Sequence, residues 1–189
     1  MGLVRVFVAL AIPAEVRAAL GDAQARLKPA GADVKWVRPE AIHATLRFIG
    51  DTNEERVPVL GEAIAAAAAG VAPFALEARG AGFFPEESRP RVVWIGLGGD
   101  LPALLRLQAR VEAEVVRVGY PAEGRPFSAH LTLGRVRSGK RVKELVLAAQ
   151  EFSGWVLGAF PVDRVILYRS ELRPQGAIYT RLIEQPLVG

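Results

Sequence analysis

Two histidines are all this chain has, and each opens the same phrase: His43-Ala44-Thr45-Leu46 and, 87 positions later (130 − 43), His130-Leu131-Thr132-Leu133. Threonine occupies only four of 189 positions, so a chance threonine two places after both histidines has a probability of about 0.0004. The stretches before the phrases align at the same offset, with Leu10 on Leu97, Val8 on Ile95 and Val6 on Val93. This internal echo predicts a duplication, with repeats at roughly 1–84 and 91–189.

The first repeat reads as a strand over Val4–Leu10, closed by Ile12-Pro13, and a helix over Ala14–Leu27 whose buried stripe is Val16, Leu20, Ala23 and Leu27. Trp36-Val37 and Ile42–Ile49 read as extended, with Gly50-Asp51 as the closing turn. A helix follows over Asn53–Ala69, then a strand over Phe74–Phe84 bent at Gly80 and Gly82. The second repeat has extended Val92–Leu97, a helix over Leu101–Val118, a strand over Phe127–Val136 and a helix over Lys140–Gln150. Strands at Trp155–Phe160, Val162–Tyr168 and Ala177–Ile183 finish it. The expected fold is α+β: two pseudo-symmetric lobes, each half supplying a mostly antiparallel sheet with helices on its outer face. The site would lie in the cleft between them, and Gly80–Arg91 is the expected crossing point, with Pro85–Pro90 an exposed loop.

Hydrophobic residues at 51% and charged residues at 23% place the chain among globular proteins and exclude an open, self-repelling chain. With no cysteine, disulfides, thiolate metal ligands and cysteine nucleophiles are excluded. The net charge of +4 favours polyanions without the dense basic blocks of a duplex binder. Met1–Leu10 has neither a basic leader nor a small-residue cleavage site, and no apolar run is long enough to span a bilayer. A cytoplasmic monomer without membrane contact is expected.

On a strand, residues i and i+2 project from one face about 7 Å apart, so each histidine and its threonine would enter the cleft together while Ala44, Leu46, Leu131 and Leu133 pack behind. An imidazole titrates near neutrality, so one ring can accept a proton while its counterpart donates one. That division suits phosphodiester hydrolysis, with the hydroxyls of Thr45 and Thr132 on the non-bridging oxygens. Two plainer readings stand beside it: histidines satisfied by local hydrogen bonds, and a zinc site, for which two histidines without thiolate or placed carboxylate are a poor ligand set.

The two phrases and their surroundings resemble the 2H phosphoesterase superfamily, in particular its RNA 2′,3′-cyclic phosphodiesterase branch, also called 2′-5′ RNA ligase. The likeness runs through Arg5–Leu10, Trp36–Glu40 into His43–Gly50, Gly82–Pro85, Pro90–Trp94, His130–Arg135, Leu167–Leu172 and Gly176–Thr180. One departure is Ala129, where relatives often carry proline before the second motif. The resemblance implies metal- and cofactor-free hydrolysis of a terminal 2′,3′-cyclic phosphate to a 2′-phosphomonoester, with 2′-5′ joining as the reverse. It implies His43 as proton donor and His130 as acceptor, and as partners RNA ends bearing the cyclic phosphate or small cyclic nucleotides. A non-catalytic RNA-end or nucleotide-binding module, or the same chemistry on a small cyclic-phosphate metabolite, are the alternatives.

Around the motifs, uninterrupted strands would put Arg47 on the face of His43 and Arg135 on the face opposite His130. A direct phosphate contact by Arg135 therefore requires a bend that Gly134 could supply, the competing reading being a solvated or packing arginine. Phe7, Phe48 and Tyr168 are candidates to stack a terminal base, with core packing as the competing fate. Arg135, Arg137, Lys140, Arg141 and Lys143 are candidates for a basic rim that follows RNA phosphates, with a solvated loop and helix face as the competing reading. Trp36, Trp94 and Trp155 read as structural.

Overall fold

A computed structural model of the chain describes residues 2–174 and 176–189. Strand β1 (Leu3–Leu10) illustrates how its pattern becomes two faces: Val4, Val6, Val8 and Leu10 enter the main core, while Phe7 and Ala9 join Ile166 and Tyr168 on the other side. It leads into α1 (Ala14–Leu27), which buries Val16, Leu20, Ala23 and Leu27 as the spacing predicts, together with a polar residue, Gln24. The chain continues through β2 (Val34–Trp36), β3 (Ala44–Asn53), α2 (Val57–Ala68), β4 (Phe74–Phe84) and β5 (Val92–Gly99). Helix α3 (Leu101–Arg117), β6 (His130–Val136), α4 (Val142–Gln150), β7 (Val156–Val162), β8 (Arg164–Arg173) and β9 (Gly176–Pro186) complete it.

The strands form two sheets, ordered β3-β1-β8-β9 and β2-β6-β5-β4-β7, with antiparallel pairing throughout. Helices α2 and α3 cover the first sheet, and α1 and α4 the second. This is the α+β architecture of two helix-backed antiparallel sheets, but the halves of the sequence are not the lobes. β2 and β4 from the first half join the second sheet, and β8 and β9 from the end of the chain join the first. The helices cross as well: α1 leaves the end of β1 and packs on β7, and α3 leaves β5 and packs beside α2 and β3. One apolar cluster therefore contains buried residues of both sheets.

Three expectations are corrected by strand pairing. Gly80–Arg91 is no crossing point, because β4 and β5 pair directly from Leu76↔Gly99 to Phe84↔Val92 and residues 85–91 merely close that hairpin. Gly80 does mark a bulge, at φ +62°, and Gly82 leaves the space that the Trp94 ring fills: a β-carbon there would fall 2.3 Å from it. Gly50-Asp51 is not a turn. β3 runs on to Asn53 because β1 extends back to Leu3, and Asp51 meets Arg5 across the ladder with an ion pair at 2.9 Å. Residues 127–129 precede β6, which begins at His130 itself.

Candidate active site

Each histidine stands where an irregular segment becomes a strand. His43 follows the short 3-10 turn Pro39–Ala41 and precedes β3, and its Nδ1 lies 2.8 Å from the carbonyl oxygen of Ala41. His130 opens β6, and its Nδ1 lies 2.8 Å from the carbonyl oxygen of Ser128. A carbonyl oxygen only accepts, so Nδ1 is the protonated nitrogen in both rings and Nε2 is the one left for chemistry. The same two-residue reach secures both imidazoles. Ala129, the departure from the family pattern, sits inside the second reach without disturbing it.

Both rings line one pocket of about 200 Å³. The first sheet contributes Phe7, Thr45, Phe48, Ser170 and Tyr179 to its wall, and the second contributes Thr132 and Arg135. Phe7 is buried and stacks on Tyr168 with centroids 5.3 Å apart, and its ring is 4.5 Å from that of His43. Tyr179 meets His43 edge-on at 4.9 Å, and Phe84 meets His130 edge-on at 4.8 Å. Phe48 is the exposed aromatic of the wall, at 47%. Tyr168 is buried behind Phe7 and does not line the pocket.

Matching β-bulges decide which side chains follow the threonines inward. In β3 the register passes from Ala9↔Thr45 to Val8↔Arg47, leaving Leu46 extra; in β6 it passes from Trp94↔Thr132 to Val93↔Gly134, leaving Leu133 extra. An extra residue reverses the alternation beyond it. The fifth residue after each histidine, Phe48 or Arg135, is thereby brought to the pocket, so the bend that Arg135 requires is present. Arg47 is turned the other way, correcting its expected placement beside His43. It is buried behind the sheet, with Nε 2.6 Å from a Glu112 carboxylate oxygen on α3, and it donates to the carbonyl of Pro121 in the loop leading towards His130. Aligned on the threonines, β1 and β5 correspond at an offset of 85 (94 − 9) rather than 87; the even difference preserves the faces.

The bulged carbonyls are held from behind. Gln24 of α1, only 2% exposed, donates from Nε2 to the carbonyl oxygens of Leu133 at 2.9 Å and Val37 at 2.6 Å, and the Val37 amide adds a bond to Leu133 at 2.8 Å. Gln108 of α3 reaches the Leu46 carbonyl at 3.5 Å, a longer version of the same contact. Glutamine inside an apolar helical stripe is the sequence signal for this support. Ser170 and Tyr179, opposite each other on β8 and β9, lie in two of the phrases that carry the family likeness but are not among the expected site residues; alternation from Tyr168 places Ser170 on its face.

Burial is the first cause of the electrostatics. It pulls the His43 pKa from 6.5 down to about 4, against the opposing effect of the Ala41 carbonyl, with the charge of His130 lowering it further. His130 is also lowered, first by burial and then by the Arg135 guanidinium, while the Ser128 carbonyl opposes both. Both rings are therefore neutral at pH 7 in the free protein.

The proposed basic rim is divided. Arg135 joins the pocket, whereas Arg137 pairs with Asp33 at 2.7 Å and Arg141 with Glu144 at 3.3 Å. Arg141 and Lys143 line a separate cavity of about 530 Å³ with Arg89 and Arg91, which shares no lining residue with the histidine pocket. Trp36 packs against the core, Trp94 stands 5.1 Å from Phe84, and Trp155 lies under the Arg26 guanidinium at 5.0 Å. Among the described residues no group of three or more histidine, cysteine or carboxylate side chains is arranged to hold a metal ion. No described helix is long and apolar enough to cross a membrane.

The two lobes thus present one histidine–threonine pair each to a common pocket, the arrangement expected of a two-histidine phosphoesterase. The chain belongs to the LigT-like phosphoesterase family, whose model matches residues 10–94 and 99–179, each stretch carrying one of the motifs. An RNA 2′,3′-cyclic phosphodiesterase of Methanothermobacter thermautotrophicus is 36% identical over 94% of this chain and 95% of its own length. The Thermus thermophilus protein of that name is 37% identical over 98% and 91%. A crystal structure of a Thermus thermophilus protein superposes with a TM-score of 0.81 at 34% identity, covering 97% of each chain. Escherichia coli LigT complexed with 3′-AMP shares the fold at 24% identity and a TM-score of 0.79 over the whole of both chains.

Proposed function

We propose that this chain hydrolyses a 2′,3′-cyclic phosphate at the end of an RNA to a 2′-phosphomonoester, by acid–base catalysis between His43 and His130 and without a metal. The observation that carries this is the convergence of two imidazoles on one pocket, each with Nδ1 tied back to a carbonyl and Nε2 left over. The names of the relatives supply the substrate class. Nε2 of His130 takes a proton from water as the water oxygen bonds to phosphorus. The bond from phosphorus to the 3′ oxygen breaks, and Nε2 of His43 protonates that leaving oxygen. Thr45 and Thr132 donate to the non-bridging oxygens, and Arg135 balances their charge.

The roles follow the surroundings. Arg135 beside His130 favours the neutral ring that a base requires. His43, without a guanidinium beside it, gains most from an arriving phosphate, whose negative charge raises its pKa and loads it as the acid. With the 5′ hydroxyl of a second RNA in place of the attacking water, the same steps would make a 2′-5′ linkage.

The test is incubation with a 2′,3′-cyclic nucleotide and a cyclic-phosphate-ended oligonucleotide in EDTA, with the monoester identified as 2′ or 3′. The expected result is 2′ product undiminished by chelator, and a loss of about 10²–10⁴ in kcat for His43→Ala and for His130→Ala, with circular dichroism unchanged. Absence of product from every cyclic substrate would leave a binding module instead.

A further inference from the structure

The histidine pocket, at about 200 Å³, is smaller than the roughly 300–1,000 Å³ usual for small-ligand sites. It does not end at Arg135. A second cavity of about 360 Å³ opens beside it, and Phe48, Arg135, Ser170 and Tyr179 belong to the walls of both. The new residues of this groove are of two kinds. Arg5, Lys35 and Arg38 bring charge, and Trp36 and Leu172 bring apolar surface.

Most of that charge is arranged in one place and uncompensated. Lys35 on β2 lies directly opposite Arg135 on β6, so their side chains leave one face of the sheet side by side, about 5 Å apart at the β-carbons. Arg38, just beyond β2, reaches across to the other lobe and donates to the carbonyl of Ala177 on β9 at 3.4 Å. Among the described residues none of these three cations has a carboxylate partner, whereas Arg5 on the far wall is neutralised by Asp51 at 2.9 Å. Like charges held together at a groove without counter-ions match a ligand that brings its own negative charge at intervals. Opposite them stand exposed apolar groups, Phe48 at 47% and Leu172 at 71%, which suit the faces of unpaired bases.

From this placement we infer a second subsite, lined by Lys35, Arg38, Phe48 and Leu172, that holds the nucleotide preceding the cyclised one. The substrate is then the end of a single-stranded RNA rather than a free cyclic nucleotide or a small cyclic-phosphate metabolite. The inference rests on the hydrolytic reading for its kinetic consequence but not for binding.

The experiment compares kcat/KM for 2′,3′-cyclic CMP and for a trinucleotide ending in a 2′,3′-cyclic phosphate, using the wild-type chain and a Lys35→Ala/Arg38→Ala variant. The trinucleotide should be preferred by about tenfold or more in the wild type, and the variant should lose that preference through KM while acting on cyclic CMP within about twofold of wild type. In parallel, anisotropy of a labelled trinucleotide ending in a 3′-phosphate is followed against salt; the log–log slope should fall by about 1.4 in the variant, two phosphate contacts' worth for a single strand. Hydrolysis of cyclic CMP with no trinucleotide preference, or an equal loss on both substrates, overturns the subsite alone. If neither substrate is turned over, the hydrolytic reading fails, and the salt slope still judges the groove: an unchanged slope overturns it.

Discussion

His43 and His130 share a tether and a tautomer but not a dielectric. The more buried His43 has its pKa lowered to about 4, so the unfolded chain, with the ordinary 6.5, binds the proton more readily. Stability contributed at neutral pH should decline as pH falls from about 6.5 to about 4, by a total of order 3 kcal/mol. Urea midpoints measured from pH 7.5 to 4.5 should therefore drop more steeply for wild type than for His43→Gln; parallel curves would contradict the burial. A second residue-scale prediction concerns Gly82. Its missing β-carbon makes room for Trp94, which stands against Phe84 and so behind the His130 ring. Gly82→Ala should cost about 1–3 kcal/mol by thermal unfolding and also lower kcat, because the displaced tryptophan presses on Phe84, which stands against His130.

Bulges in β3 and β6 are the elements that convert a repeated phrase into an asymmetric site, since the position five after the histidine is phenylalanine in one lobe and arginine in the other. Gln24 fixes the second bulge by bonding to its carbonyl and to that of Val37. Gln24→Leu should cost about 1–3 kcal/mol, as two buried acceptors lose a donor. Its particular signature lies elsewhere. With the bulge loosened, Arg135 should withdraw from His130, whose pKa followed by NMR should rise towards the ordinary value. In an Arg135→Ala background Gln24→Leu should change the His130 pKa no further. The motifs, the two-residue separation and the candidacy of Arg135 were legible in the sequence because a strand has a fixed period. The bulges were not, because they arise from the register between strands and not from the residues of one strand.

At the scale of the molecule, the two sheets exchange chain. β8 returns to pair with β1 and carries β9 on its other edge, β4 carries β7, and the crossover helices α1 and α3 each pack on the lobe their preceding strand does not belong to. With one apolar cluster running through both lobes, neither lobe can open without exposing the core of its counterpart. Differential scanning calorimetry should show a single transition whose calorimetric and van't Hoff enthalpies agree; two resolved transitions would mean the lobes melt separately. The ion pair of Arg47 with Glu112 extends this coupling to the site. It ties β3, which follows His43, to α3, and Arg47 also anchors the loop that leads to His130.

By itself the sequence determined the chemistry offered and the local form of its carriers: two imidazoles with threonines on strands, an apolar stripe along α1, and no thiol anywhere. These follow from short-range rules of period and residue type, which act between neighbours along the chain. Tertiary structure alone decided which strands shared a sheet, that Arg47 turned inwards while Arg135 turned to the cleft, and that burial would lower the pKa of both histidines. Those outcomes depend on partners far away in the chain, whose register and packing no local pattern encodes.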